Sequence, residues 1–323
     1  MLFCTIILTV VSIALGLCLG STQVSPADFI SAALAGDITD PAYRIVVHSR
    51  LPRVLGALLA GSALAVSGAI LQAVLQNPLA SPNIIGVNSG AGLMVLLCSA
   101  FLPAHPALLP FSAFLGALAT AMVIFALAMG PGVSRITLVL TGIAISSILG
   151  SGMNCIMILY PDAYIGASTF LVGGLSGLTL KGLNFPVIYI IVGLILAMLL
   201  RRDMNIISLG TETARSLGMS VNLVRFLLIF TSAVLAGAAV SFAGLIGFVG
   251  LIVPHAIRFL IGNDNQFLVP ASAFGGAAFV IICDLISRIA FAPYEIPVGI
   301  LLSFIGGPFF IYLIIHNRRG NHD

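Results

Sequence analysis

Residues 59–86 read LAGSALAVSGAILQAVLQNPLASPNIIG, and residues 235–262 read LAGAAVSFAGLIGFVGLIVPHAIRFLIG. A shift of 176 residues lays one stretch on the other. Leu59-Ala60-Gly61 falls on Leu235-Ala236-Gly237, Gly68 on Gly244, Pro78 on Pro254 and Gly86 on Gly262. With Ala63/Ala239, Ile70/Ile246, Leu75/Leu251, Ala80/Ala256 and Ile85/Ile261, that makes 11 identities in 28 positions. Apolar composition inflates such matches, so the prolines and glycines carry the weight.

The chain around these stretches is 60% hydrophobic and only 7% charged over 323 residues. Soluble domains carry roughly a quarter charged residues, so a water-soluble globular fold is excluded. No Asp, Glu, Lys or Arg occurs from Val54 to Ser134, a length that holds about three helices at roughly 20 residues per crossing. Breaking the apolar runs at proline, glycine and charge clusters gives ten expected crossings: 2–20, 54–75, 84–102, 108–129, 136–160, 184–200, 222–242, 244–261, 268–290 and 296–315. The fold class expected is therefore an all-α polytopic membrane protein, a single transmembrane domain over 1–323, with Met1–Gly20 kept as a first helix rather than removed as a signal. The matching stretches fall on crossings two and seven. These are an odd number apart and so run in opposite directions, giving inverted repeat units of about 54–160 and 222–315. Inverted repeats are a transporter signature. Small residues at four-residue spacing (Gly61, Ala65, Ala69; Ala236, Val240, Gly244) allow close helix approach.

Ten crossings place both termini on one side. The positive-inside rule makes that side cytoplasmic, with Arg135, Arg201, Arg202, Arg215, Arg225, Arg258, Arg318 and Arg319 inside. Arg44, Arg50, Arg53, Lys181 and Arg288 then lie outside. Basic residues held at an outer rim against the usual bias suggest that something acidic docks there, or that they snorkel to headgroups. Asp284, four residues before Arg288, is placed to pair with it. It is the one acid within a crossing, so a proton or sodium relay is poorly supplied, and an ion-coupled secondary transporter is the weaker alternative. ATP cannot be bound here through a GxxxxGK[ST] loop, since the only lysine, Lys181, has none around it. Any ATPase is a separate chain. The segment that would receive it is 201–222, where Leu209-Gly210-Thr211-Glu212-Thr213-Ala214-Arg215-Ser216-Leu217-Gly218 reads as a short helix between glycine stops. The five cysteines sit in apolar runs as small hydrophobes, and the five histidines form no ligand cluster. Neither a metal site nor a catalytic centre is expected, and a membrane-embedded enzyme is the weakest reading.

Four stretches carry a family likeness. They are Arg50-Leu51-Pro52-Arg53 running into Ser67-Gly68 and Asn77-Pro78-Leu79-Ala80-Ser81-Pro82; Leu209-Gly210 through Ala214-Arg215 to Leu217-Gly218; Gly247-Phe248-Val249-Gly250-Leu251 with Pro254-His255 and Arg258; and Asp284 through Arg288 to Pro293, Glu295-Ile296-Pro297-Val298-Gly299 and Gly307-Pro308-Phe309-Phe310. In these the chain resembles the FecCD-type permease subunits of ABC importers for ferric siderophores, haem and vitamin B12. The resemblance implies a permease in the prokaryotic cell membrane, paired with a second copy or a close homologue. It implies two copies of an ATPase, which hold ATP and Mg while this chain carries no cofactor, and one extracytoplasmic binding protein. Lipid surrounds the assembly, and nucleic acid is no partner. By the same resemblance Leu209, Gly210, Glu212, Ala214, Arg215, Leu217 and Gly218 form the helix that couples to the ATPase, and Arg50, Arg53 and Arg288 meet acidic residues of the binding protein. Thr141, Ser147, Ser151 and Asn154 are candidates for the lining of the path, against the reading that such hydroxyls bond the preceding helical turn.

Overall fold

A computed structural model describes residues 1–22, 24–128 and 135–319, all helix and connecting turns. The helices are α1 (Leu2–Cys18), α2 (Pro26–Ala35), α3 (Pro41–Ile45), α4 (Leu51–Leu75), α5 (Val87–Phe101), α6 (Leu109–Leu127), α7 (Arg135–Leu159), α8 (Pro161–Val172), α9 (Leu180–Leu199), α10 (Arg201–Ser208), α11 (Thr211–Ser216), α12 (Val221–Ala243), α13 (Val249–Ile261), α14 (Asn265–Ile289) and α15 (Val298–Arg319). A π-helical segment, Val46–Arg50, joins α3 to α4 without a break. His322, and the side chains of Arg135, His316, Arg318 and Arg319, lie outside the described residues.

Among the described residues, six segments are long and apolar enough to cross a membrane: Pro41–Leu75, Pro106–Leu127, Ile136–Leu159, Leu180–Leu199, Val221–Ala243 and Asn265–Ile289. The other four expected crossings are shorter apolar helices, α1, α5, α13 and Val298–Leu313 of α15. The core is built around α4, which packs on α12, α13 and α14. Its spanning stretch is 83% buried within the chain, against 11% for α7. In lipid there is little hydrophobic drive to pair helices, so contact depends on close backbone approach. Glycines supply it here: a Cβ at Gly61 would overlap the Gly276 carbonyl of α14, and one at Gly68 the Gly250 carbonyl of α13. Ser67 of α4 and Ser232 of α12 share a buried hydroxyl bond of 2.7 Å, which satisfies two polar groups far from water.

Contacts give the helix directions. Gly56 faces Phe242 while Ser67 meets Ser232, so α4 and α12 are antiparallel. Gly61 meets Gly276 and Arg53 meets Asp284, so α4 and α14 are antiparallel too. Thr9 donates to the Phe274 carbonyl at 2.8 Å and Gly16 lies beside Ile281, so α1 runs parallel to α14. The repeated stretches thus lie on helices of opposite sense. Their local structures agree only at first: 59–67 and 235–243 are helical in both copies, but α4 continues to Leu75 while α12 stops before Gly244 at φ +71°. Pro78 therefore falls in a turn and Pro254 inside α13. The cause is local: Gly244 ends α12 at a positive φ that suits glycine, whereas Gly68 is a packing residue inside α4.

Candidate functional site at the two ends of the central helix

At the amino end of α4 the chain gathers five charged side chains. Arg50 and Arg53 enter α4, Asp284 and Arg288 stand one turn apart on α14, and Glu295 comes from the connection to α15. Arg53 Nε bonds both carboxylate oxygens of Asp284, at 2.9 and 3.0 Å, and its Nη1 meets Glu295 Oε2 at 2.5 Å. Arg288 Nε lies 3.2 Å from Asp284 Oδ2, the pairing that the four-residue spacing predicts, and its Nη2 donates to the Gly16 carbonyl. Arg50 donates to the carbonyls of Leu17, Cys18 and Thr22, which caps the exposed carbonyl end of α1 with a cation.

The sequence places Arg50, Arg53 and Arg288 at an outer rim, and there they are 3%, 7% and 3% exposed on this chain. The reason is physical: a guanidinium next to apolar surface has five donors to satisfy, and helix-end carbonyls and two carboxylates lie within reach. Glu295, which the sequence reading noted only inside a motif, retains an exposed edge.

The far end of α4 is different. From Arg53 to Gln76 is 23 residues, roughly 35 Å of helix at about 1.5 Å each, close to the thickness of a bilayer core. There Gln76 Nε2 donates to the Ile207 carbonyl at 2.7 Å and fastens α10. Asn205 on α10 donates to Asp264 Oδ1 at 2.7 Å and accepts from both nitrogens of Asn265 at 2.8 Å. Asp264 also accepts from the Gln266 amide, and these bonds hold its carboxyl below the usual carboxylate range. Beside it, Arg258 Nη1 donates to Gln72 Oε1 at 2.9 Å.

On this base stands α11, between Gly210 at φ +110° and Gly218 at φ +81°, angles that suit glycine. Ala214 is fully buried beneath it, while Leu209 and Leu217 are each 63% exposed. Glu212 and Arg215 pair at 3.3 Å on its open side. All seven residues picked from the sequence therefore lie on α11 and its two flanks, a short segment whose exposed side carries Leu209, Leu217 and the Glu212–Arg215 pair.

The candidates on α7 stand apart from both ends. Ser147 donates to the Ile143 carbonyl and Ser151 to the Ser147 carbonyl, so these two hydroxyls bond the preceding turn. Ser147, Ser151 and Asn154 are exposed on this chain and Thr141 is half-buried. Among the cysteines, Cys98 and Cys283 are buried as expected, but Cys4, Cys18 and Cys155 are exposed. No group of three His, Cys, Asp or Glu side chains fit to hold a metal occurs among the described residues.

Residues 8–316 match the sequence pattern of the FecCD transport family. The chain belongs to that family. Among its relatives, the Fe(3+)-citrate import system permease protein YfmE of Bacillus subtilis is 37% identical over 97% of this chain and 93% of its own length. The hemin transport system permease protein HmuU of Yersinia pestis is 38% identical over 94% and 93%. A solved structure of an inward-facing metal-chelate type ABC transporter superposes with a TM-score of 0.84 at 28% identity, over 97% of this chain and 98% of that one. This FecCD chain is accordingly a multi-pass permease of the cell membrane. Sequence reasoning missed the fastening of α10, because Gln76 acts on a backbone carbonyl 131 residues away and Asn205 on an acceptor 59 and a donor 60 residues away.

Proposed function

We propose that this FecCD permease is the transmembrane subunit of an ATP-driven importer that moves a metal chelate into the cell, a ferric siderophore being the best fit, with haem and cobalamin as other candidates. An extracytoplasmic binding protein delivers the chelate to the Arg53 end, and two ATPase copies bind ATP and Mg at the other, where both termini lie. A second permease, identical or closely homologous, completes the path. The face of α7 bearing Ser147, Ser151 and Asn154 suits that path or the second copy, because the exposed Asn154 amide on a spanning helix is costly against lipid. The relatives' iron-citrate and hemin permeases support the substrate class.

One observation carries the reading: α11 presents Leu209 and Leu217 to the outside from a base that is hydrogen-bonded to α4 and to the α13–α14 turn. An exposed apolar pair on an anchored element is a docking feature, and ATP binding in the docked subunit would shift the permease between states by its differential affinity for them. To test it, the chain is tagged at its carboxyl end, extracted gently from native membranes, and the copurifying subunits are identified and counted. One ATPase copy per permease, lost with Arg215→Glu, is expected. A lone oligomer, under conditions that preserve a known importer, would replace this reading with an ion-coupled carrier.

A further inference from the structure

The acidic docking expected at the outer end meets an obstacle in the structure, and the obstacle is Glu295. Arg53 offers two faces. Its Nε side is closed by Asp284, which is 1% exposed. Its Nη1 side is closed by Glu295, whose side chain is 31% exposed and whose second oxygen reaches Ser21 Oγ only at 3.4 Å. Glu295 belongs to the 290–297 connection, where Phe291 and Tyr294 are 60% and 80% exposed. The same guanidinium is thus held by one carboxylate locked in the core and one at the surface.

We propose that Glu295 is an internal stand-in for a partner's carboxylate: it occupies the Nη1 position of Arg53 in the free permease and gives it up when an acidic side chain of a soluble partner docks. The inference deepens the proposed function and rests on it for the partner's identity. Arginine suits such an exchange, because its donors are fixed in a plane and accept a second carboxylate in the geometry of the first. Exchange keeps Arg53 paired throughout, which avoids the cost of a buried unpaired charge. It also makes docking selective, since a neutral group cannot displace Glu295.

The probe is a labelled hexaglutamate peptide titrated against the permease in phosphatidylcholine nanodiscs. An ion pair whose acid stands at the surface competes only modestly, so Glu295→Gln is expected to bind the peptide about fivefold tighter than wild type. Glu295→Asp should behave as wild type, and Glu295→Gln should give no gain when combined with Arg53→Gln. In wild-type protein, saturating peptide should raise hydrogen exchange in 290–297 as Glu295 is released, a readout that needs no variant to fold. An unchanged affinity in Glu295→Gln, a gain that survives Arg53→Gln, or protection of 290–297 would each overturn the proposal. Absence of an ATPase from the purified complex would sink the importer reading and leave the peptide result standing.

Discussion

The two ends of α4 handle charge in opposite ways. At the Arg53 end three guanidiniums and Asp284 are buried, and the guanidiniums are held by α1, the turn after it, α14 and the 290–297 connection. At the Gln76 end the bonds that fasten α10 are part-buried or exposed and join neutral amides to a carbonyl and one exposed carboxylate, the half-buried Arg258 meets the neutral Gln72, and the ion pair on α11 has side chains 88% and 57% exposed. A buried charge is tied to the stability of the fold, because removing its partner strands it in a low dielectric. An exposed pair contributes little to stability and is free to be used by something else. Removing Asp284, the acid that two buried guanidiniums share, should therefore unfold the protein, and substitutions at the second end should disable it while folded.

The largest effect is expected from Asp284→Ala. It leaves Arg53 with Glu295 alone and Arg288 with a single carbonyl, and should cost about 3–5 kcal/mol, read as a loss of folded protein in detergent thermal unfolding. Stability unchanged within error would mean that the cluster is hydrated and that the contrast between the ends is false. Next come Arg215→Glu and Leu209→Asp. Each should change stability by about 0.5 kcal/mol or less, as exposed sites do, yet lower ATP-driven uptake by on the order of tenfold, the size of an interface anchor. Unfolding in these variants, or full uptake, would break the comparison from the other side.

The sequence discloses the second end better than the first, and the reason lies in range. Leu209, Gly210, Glu212, Arg215, Leu217 and Gly218 lie within ten residues, so glycine punctuation and i,i+3 spacing are enough to read α11. The back-bonding of Ser147 and Ser151 is equally local, at four residues. Arg50, by contrast, is neutralised by backbone carbonyls 28 to 33 residues away, groups that every residue carries and that no side-chain pattern marks. Arg53 and Glu295 are separated by 242 residues. A charge count could place these arginines at one end of the bundle, but burial is decided by which helices pack there. The repeat behaves similarly: its identities report the antiparallel α4–α12 pair, while beyond Gly68 and Gly244 the same letters adopt different structures.

The smallest effect concerns how α10 is held. Asp264 caps α14 through the Gln266 amide and accepts from Asn205, and both bonds favour its ionised form. A carboxyl whose folded pKa is depressed contributes stability that is fully present above its unfolded value, about 3.9, and is lost as pH falls through the lower folded value. Thermal unfolding should therefore separate wild type from Asp264→Asn at pH 6, with the difference shrinking below about pH 4. The Arg53 end should not share this dependence in an Asp264→Asn comparison, since Asp284 is present in both proteins. If the difference instead grew on acidification, the Asn205–Asp264 bond would favour the protonated acid, and the α10 anchor would rest on Gln76 and Asn265 alone.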